Sequence, residues 1–540
     1  MTMPRLRAKT ATVLSSALVC VLLIVVVKNT GPLPQIRFGR DLIYLLDGAW
    51  KLKWTALPQT EYYSPVGSLA FLSVAIAMDL GGSIVKAPML AMCAFGIVLL
   101  PMALSAAFRR LQPVMAWLAV LVIMATAMAP HVAGFSSDAW SYAAFYERWQ
   151  QALFCTLILL VAAAPPNRPP RSEAIDGAIA GIVITALIFL NIALGVLALV
   201  IWIAFGITSR RHLFHYMAAA IVGLFVGLII LALLKWNMPN LLTALSLEVR
   251  AWRDRDAGTF LERLLKLAPG LSLIALLTGL WCGSGVLTSK GGLFERLIEA
   301  VVFFICVSMA AVFIAMTRQH VGEVTDSAIL GVAALILLTR IIAAQRNRDA
   351  PDRPFSQGGG LLIAIAAIVT LFLAIPQTSR NLYAVIKAAV WKSQGRTLPA
   401  GQVFQNGPLQ SLEIEFFGGN PPTPTSYVGT VMDGLALLAR TNNNNKTVIA
   451  LDYSNPFNLV RGTKPSAALS IAGPADCVYP EAALPPAQAV FNGQDVVLVP
   501  KWTRRGDDKL LRLLDHYRSY LADHYFPAGE SQQWQLLLPK

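Results

Sequence analysis

The chain reads as a mainly α-helical, polytopic membrane protein of about eleven transmembrane helices that ends in a small α/β domain. Three observations carry that reading. Over 540 residues the composition is 56% hydrophobic and only 14% charged, which a soluble globular chain of this length does not sustain. Apolar runs of roughly 20 residues recur between short polar breaks, the length that spans a ~30 Å hydrocarbon core. Beyond residue 376 those runs stop, and short strand-like and amphipathic segments take over.

Taken in order, Arg5, Arg7 and Lys9 put the N-terminus on the cytoplasmic side. The run at 11–28 follows a basic stretch like that of a secretion signal. No small-x-small cleavage site precedes the next loop, so it is read as a retained first span. It delivers a long polar segment, 29–85, to the outer face. Within that segment the apolar piece 66–80 is too short for a full crossing and is expected to lie at the interface or re-enter. Further spans are expected at 86–107, 113–130, 150–164, 175–191, 194–208, 214–234, about 267–288, 296–316, about 327–346 and 360–376. This arrangement keeps Arg109-Arg110, Arg168 and Arg171, Arg210-Arg211 and the 346–353 cluster inside. Counting 66–80 as a span would turn the first two of these groups outward, against the positive-inside bias.

The division follows at 376: residues 1–376 form the membrane part, with outer loops 29–85 and 131–149, and 377–540 an extracytoplasmic domain. In the tail, TVIALDY (447–453) and VVLVP (496–500) read as buried strands. VMDGLALLAR (431–440) and 507–526 read as helices, the second amphipathic. Asn-rich 441–446 is a turn. The net charge of +14 belongs to cytoplasmic loops and anionic headgroups, and nucleic acid is not an expected partner. Of the cysteines, Cys20, Cys93, Cys155, Cys282 and Cys306 fall in apolar spans as packing. Cys477 stands alone in the tail, so no disulfide framework is expected.

The groups that can do chemistry gather on the outer face. Segment 36–67 holds Asp41 and Asp47 among Tyr44, Trp50, Trp54, Tyr62 and Tyr63, aromatics of the kind that settle at a membrane boundary. It reads as a surface loop. Either its acids serve as a base at a lipid headgroup, Asp41 first, or they only offset Arg37, Arg40, Lys51 and Lys53. The second outer loop, GFSSDAWSYAAFYERW, brings Asp138, Tyr142, Tyr146, Glu147 and Arg148. Asp138 either orients an acceptor or holds a hard divalent ion such as Mg or Mn, or it caps the next helix together with Ser136 and Ser137. TRQHVGEVTD offers Arg318 and His320 as holders of a phosphate or as interfacial anchors. His131 is a candidate of the same sort. Arg250, Arg253 and Arg255 face either lipid phosphates or solvent. The sequence contains no HExxH, no P-loop and no Cys/His cluster.

On these residues the chain resembles the GT-C superfamily of integral-membrane glycosyltransferases, in the branch of protein O-mannosyltransferases and lipid A aminoarabinose transferases. The likeness is carried by an N-in first helix and an early acid, Asp41, in a long first outer loop. Gly48-Ala49, Pro58 and Tyr63-Ser64-Pro65 punctuate that loop, Asp138 stands in the second, and an α/β tail follows. Many relatives carry adjacent acids, whereas Leu42 follows Asp41 here.

The resemblance implies a polyprenyl-phosphate sugar as donor and a glycan, lipid or protein hydroxyl as acceptor. The site would lie on the periplasmic face of a bacterial inner membrane, with the C-terminal domain periplasmic. Asp41 or Asp47 would be the base, and Asp138, Tyr142, Arg148, Arg318, His320 and Tyr63 would bind substrate. A divalent metal on Asp138 is the one cofactor it suggests. The rival readings are a carrier or flippase of lipid-linked saccharide, which mid-membrane charges and internal symmetry would favour, and a non-catalytic cell-envelope assembly factor.

Overall fold

The computed structural model describes residues 3–36, 38–54, 64, 66–132, 135–162, 170–208, 213–236, 245, 257–286, 293–317, 327–348, 357–399, 402–415, 426–452, 454–465, 486–501 and 508–540. A long first helix, α1 (Met3–Thr30), is followed by two short ones, α2 (Gly39–Lys53) and α3 (Ser68–Gly81). Then come α4 (Ala87–Phe108), α5 (Pro113–Met128), α6 (Phe145–Ala162), α7 (Pro170–Leu190), α8 (Ile192–Thr208) and α9 (Leu213–Leu233). The remaining bundle helices are α10 (Ala257–Val286), α11 (Leu293–Thr317), α12 (Ala328–Arg348) and α13 (Gln357–Ser393).

The protein is a multi-pass membrane protein. Among the described residues eight helices are long and apolar enough to cross a bilayer: α1, α4, α7 and α9 through α13. Helices α5 and α8 are apolar but shorter. With 14 residues, α3 reaches only about 21 Å at 1.5 Å per residue, short of a ~30 Å core. Local chemistry sets several boundaries. Pro88 and Pro113 open α4 and α5, where the missing N–H costs nothing. Asn191 breaks the chain between α7 and α8, its side-chain carbonyl accepting from Leu194 N at 3.0 Å as an N-cap. The α7–α9 pair packs through Gly177, Gly181 and Gly223: a Cβ at Gly181 would stand 2.3 Å from Ala219 O, so only small residues allow this approach.

Three expectations change. Segment 39–53, read as loop, is a helix, because Leu42, Leu45, Leu46 and Ala49 recur at helical spacing and are buried. The span expected to begin at 150 begins at Phe145. The last bundle helix also runs through Pro376 to Ser393, beyond the point where the apolar run ends.

The tail holds α14 (Tyr427–Arg440), β1 (Val448–Ala450), α15 (Phe457–Arg461), α16 (Ala487–Phe491), β2 (Val496–Pro500), α17 (Asp508–His524), β3 (Tyr525–Glu530) and β4 (Trp534–Pro539). The sheet order is β1-β2-β4-β3, with β1 parallel to β2 and the β3–β4 hairpin antiparallel. Leu513, Tyr517 and Leu521 of α17 cover one sheet face with Ile449, Val497 and Leu537. On the other face α14 joins the main core through Val431, Leu437 and Leu438. The five described cysteines are unpaired; Cys477 lies outside the described residues.

Candidate active site

The site is built where α2 meets the tail and the 131–149 segment, and Gln35 is the knot. Fully buried, it takes Glu413 O with its own N–H at 2.8 Å and gives its carbonyl to Glu415 N at 3.0 Å, a one-residue parallel bridge to the tail. Its side-chain oxygen accepts from Tyr142 N at 2.9 Å, and its Nε2 donates to Leu33 O at 2.8 Å. Beside it, Ile36 N donates to Trp140 O at 2.9 Å. Phe38 enters the helix in the left-handed region (φ 56) with its ring edge-on to Phe135 at 5.3 Å. Gly39 lies under Ile414, so close that a Cβ would stand 2.4 Å from Ile414 Cγ2.

On α2, Asp41, Tyr44 and Asp47 are spaced by three and share one face. Asp41 is half-buried in the first turn, where the helix N-terminus favours a carboxylate. Its charge reaches the hydroxyls of Tyr44 and of Tyr146 on α6. Tyr44 donates to Ser64 Oγ at 2.6 Å. Burial pushes its hydroxyl well above the ordinary range; the Ser64 bond opposes this, and the Asp47 and Asp41 charges add to it. Tyr44 therefore stays a protonated donor. Asp47 has a different role: its carboxylate meets Lys51 Nζ at 3.2 Å, with both side chains buried.

The tail closes over the same helix. Arg40 pairs with buried Asp452 at 3.8 Å and lies over the Tyr427 ring at 5.5 Å. Tyr427 shares a hydrogen bond with Ser454 at 3.0 Å, and Trp50 Nε1 donates to Thr463 O at 2.9 Å. From the bundle, α6 contributes buried Glu147 and Arg148 directly after Tyr146.

The other sequence candidates are placed as follows. Tyr142 is buried, its hydroxyl donating to Gly31 O at 3.2 Å, so it braces the chain entry. His131 is buried and its ring is held down to about 3, first by burial and then by the Arg148 charge. Its Nδ1 donates to Val132 O at 2.9 Å, and Nε2 faces the Asn381 amide at 3.1 Å. Asp138 sits in a turn well before α6 rather than capping it. It accepts from Ser136 and pairs with Lys387 of α13 at 2.9 Å, its side chain 54% exposed. Those contacts hold its carboxyl down at about 2, Lys387 contributing most. A divalent ion asks for several hard oxygens, and an ammonium on the one carboxylate does not fit it. Among the described residues no three His, Cys, Asp or Glu side chains gather as a metal site. Tyr63, Arg318, His320, Arg250, Arg253 and Arg255 lie outside the described residues.

Sequence reasoning missed Gln35 and Asp452, and read Tyr44 only as a boundary aromatic and Arg40 only as a charge the acids offset. Only Tyr44 carried a signal, its spacing of three from each acid. A further buried charge cluster lies elsewhere, where Arg109 and Arg110 share Asp176 and Trp202 Nε1 donates to His215 at 2.8 Å. It ties α4, α7, α8 and α9 together.

No family model matches the chain, and no curated protein matches it. Among solved structures it is similar to ArnT from Cupriavidus metallidurans bound to undecaprenyl phosphate, at 12% identity, with 98% of each chain covered and a TM-score of 0.48. The apo structure of that protein gives 12% identity, the same coverage and a TM-score of 0.45. A further likeness is to the arabinosyltransferase EmbB from Mycobacterium smegmatis, at 14% identity over 71% of this chain and 41% of that one, with a TM-score of 0.33.

Proposed function

We propose that the chain moves a sugar from a polyprenyl-phosphate donor to an acceptor hydroxyl on a glycan, lipid or protein, inverting the anomeric carbon. The reaction takes place on the periplasmic face of a bacterial inner membrane. The observation that carries this reading is the placement of Asp41. It is a half-buried carboxylate in the first turn of a helix clamped between the bundle and the tail, within the field of two tyrosine hydroxyls.

A base in that position takes the proton of the acceptor hydroxyl as its oxygen forms a bond to the anomeric carbon. The bond from that carbon to the phosphate oxygen breaks, and the lipid phosphate leaves with the electron pair. One carboxylate suffices because the transition state is oxocarbenium-like and needs little push. Tyr146 can donate its hydroxyl to a reacting oxygen, while Tyr44 gives its own to Ser64 and holds the helix face in place. Buried Arg148 on α6 is the cation for the departing phosphate. Asp47 is engaged by Lys51 and takes the supporting role of setting the helix. No step is routed through a metal.

The test is transfer by the purified chain in nanodiscs from glycosyl-phosphoryl-undecaprenol, with the anomeric configuration of the product read by NMR. Transfer with inversion that Asp41→Asn abolishes is the expected result. A chain that binds and hydrolyses no such lipid, or an Asp41→Asn variant with full transfer, defeats the proposal.

A further inference from the structure

The opening turns of α6 are polar yet lie inside the protein: Tyr146, Glu147, Arg148, Gln150 and Gln151 are all buried. At 100° per residue, Tyr146, Gln150, Glu147, Gln151 and Arg148 follow one another around the helix over an arc of roughly 200°. Phe145 and Trp149 fill the remaining side, where Trp149 stacks on Phe95 at 4.2 Å. In a membrane bundle, lipid cannot satisfy such an arc, so each polar group on it needs a protein partner or a ligand.

Gln151 lacks the first. It is 1% exposed, and neither Nε2 nor Oε1 meets a hydrogen-bond partner among the described residues. A buried amide offers two donors and one acceptor, and leaving all of them unmet is costly. A purely packing position would be better filled by Leu or Met. The arc starts at Tyr146, the residue within the field of Asp41. Gln151 follows five residues later, roughly 7.5 Å along the axis and about 140° around it, between Glu147 and Arg148 on the arc. An uncharged amide matches neighbouring hydroxyls, each of which both donates and accepts. A phosphate, which only accepts, is served better by Arg148 on the same arc.

We propose that Gln151 reads the ring hydroxyls of the sugar on the lipid donor, and so sets which glycosyl group is accepted. This rests on the glycosyl-transfer reading given above.

The full chain in nanodiscs is titrated with undecaprenyl phosphate and with its mannosyl and arabinosyl phosphodiesters, and Kd is read by native mass spectrometry. The wild-type chain is expected to bind at least one phosphodiester about tenfold tighter than the bare lipid phosphate, the scale of one or two neutral hydrogen bonds. Gln151→Leu and Gln151→Met should lose that preference while keeping the bare-lipid Kd and the melting midpoint. Retained preference in either variant overturns the proposal, as does a wild-type chain that binds all three lipids alike. Loss of fold in both variants assigns the amide to the scaffold and also overturns it. Wild-type failure to bind any of the three lipids strikes instead at the transfer reading on which the proposal rests.

Discussion

Asp41 and Asp138 enter the chain in like company, each an acid in an aromatic polar segment after an apolar run, yet the fold treats them oppositely. Asp41 is half-buried at a helix N-terminus, its charge felt by the Tyr44 and Tyr146 hydroxyls, and the tail domain packs over the same helix. Asp138 stays more than half exposed in a turn and is answered by a lysine from the last bundle helix. A carboxylate that keeps its charge at the surface against its own counter-ion has little left to offer a substrate. One at a helix N-terminus, in partial shelter from water, can accept a proton and remain in register. The tertiary neighbours separate the two acids, although their local sequences do not.

The comparison breaks first at catalysis. Asp41→Asn should lower kcat by about 10²- to 10⁴-fold, the usual range for a lost general base, with helicity and elution profile unchanged. Asp138→Asn should lose less than about tenfold. Transfer assays in which the two losses are exchanged would reverse the assignment.

Next comes stability. Asp47 and Lys51 form a buried pair, so Asp47→Leu or Lys51→Leu alone should cost about 3–5 kcal/mol by leaving one buried charge uncompensated. The double variant Asp47→Leu/Lys51→Met should recover most of that in a thermal melt. If the single variants melt like the wild type, then Asp47 is not the structural acid described above.

Smaller still is the Arg40–Asp452 contact, which sharpens the contrast by asking whether the tail positions Asp41. Arg40→Ala and Asp452→Asn should each reduce kcat by about tenfold with KM nearly constant. The double variant should add little, a coupling of about 1 kcal/mol as expected for residues in contact. Strict additivity would mean that the tail only covers α2 and does not set it.

Much of this was legible in the sequence, and the failures have physical causes. Hydropathy locates the bundle helices, and VVLVP reads as a strand because a central strand covered on both faces is apolar throughout. The β3–β4 hairpin was not read. Pro527 and Gly529 interrupt β3 at a bulge on the sheet edge, where such residues are tolerated but erase the strand signature. Helix α2 looks like a loop in the sequence because its charges and Gly48 mask the apolar stripe beneath them. The i,i+4 spacing of Asp47 and Lys51 was in plain view and would have told the two acids apart. Gln35 gave no local sign at all. Its partners at 142 and 413–415 are brought to it only by the folded bundle and tail, and the same holds for Arg40 with Asp452.

The last and weakest test concerns Asp138 itself. Its carboxyl is lowered to about 2 from an ordinary 3.8, mainly by Lys387 and then by Ser136. A carboxyl lowered by folding adds stability that is fully present above the unfolded value. That stability fades as the pH falls from about 4 through about 2. Because the pair is largely exposed, its contribution should stay within about 1 kcal/mol and shrink with added salt. Lys387→Ala should therefore raise the Asp138 titration point toward 3.8 in carboxylate NMR and leave the neutral-pH melt almost unmoved. Transfer activity should also hold, since the pair stands at the surface. A large loss of transfer in Lys387→Ala would place Asp138 in the reaction after all and erase the distinction between the two acids.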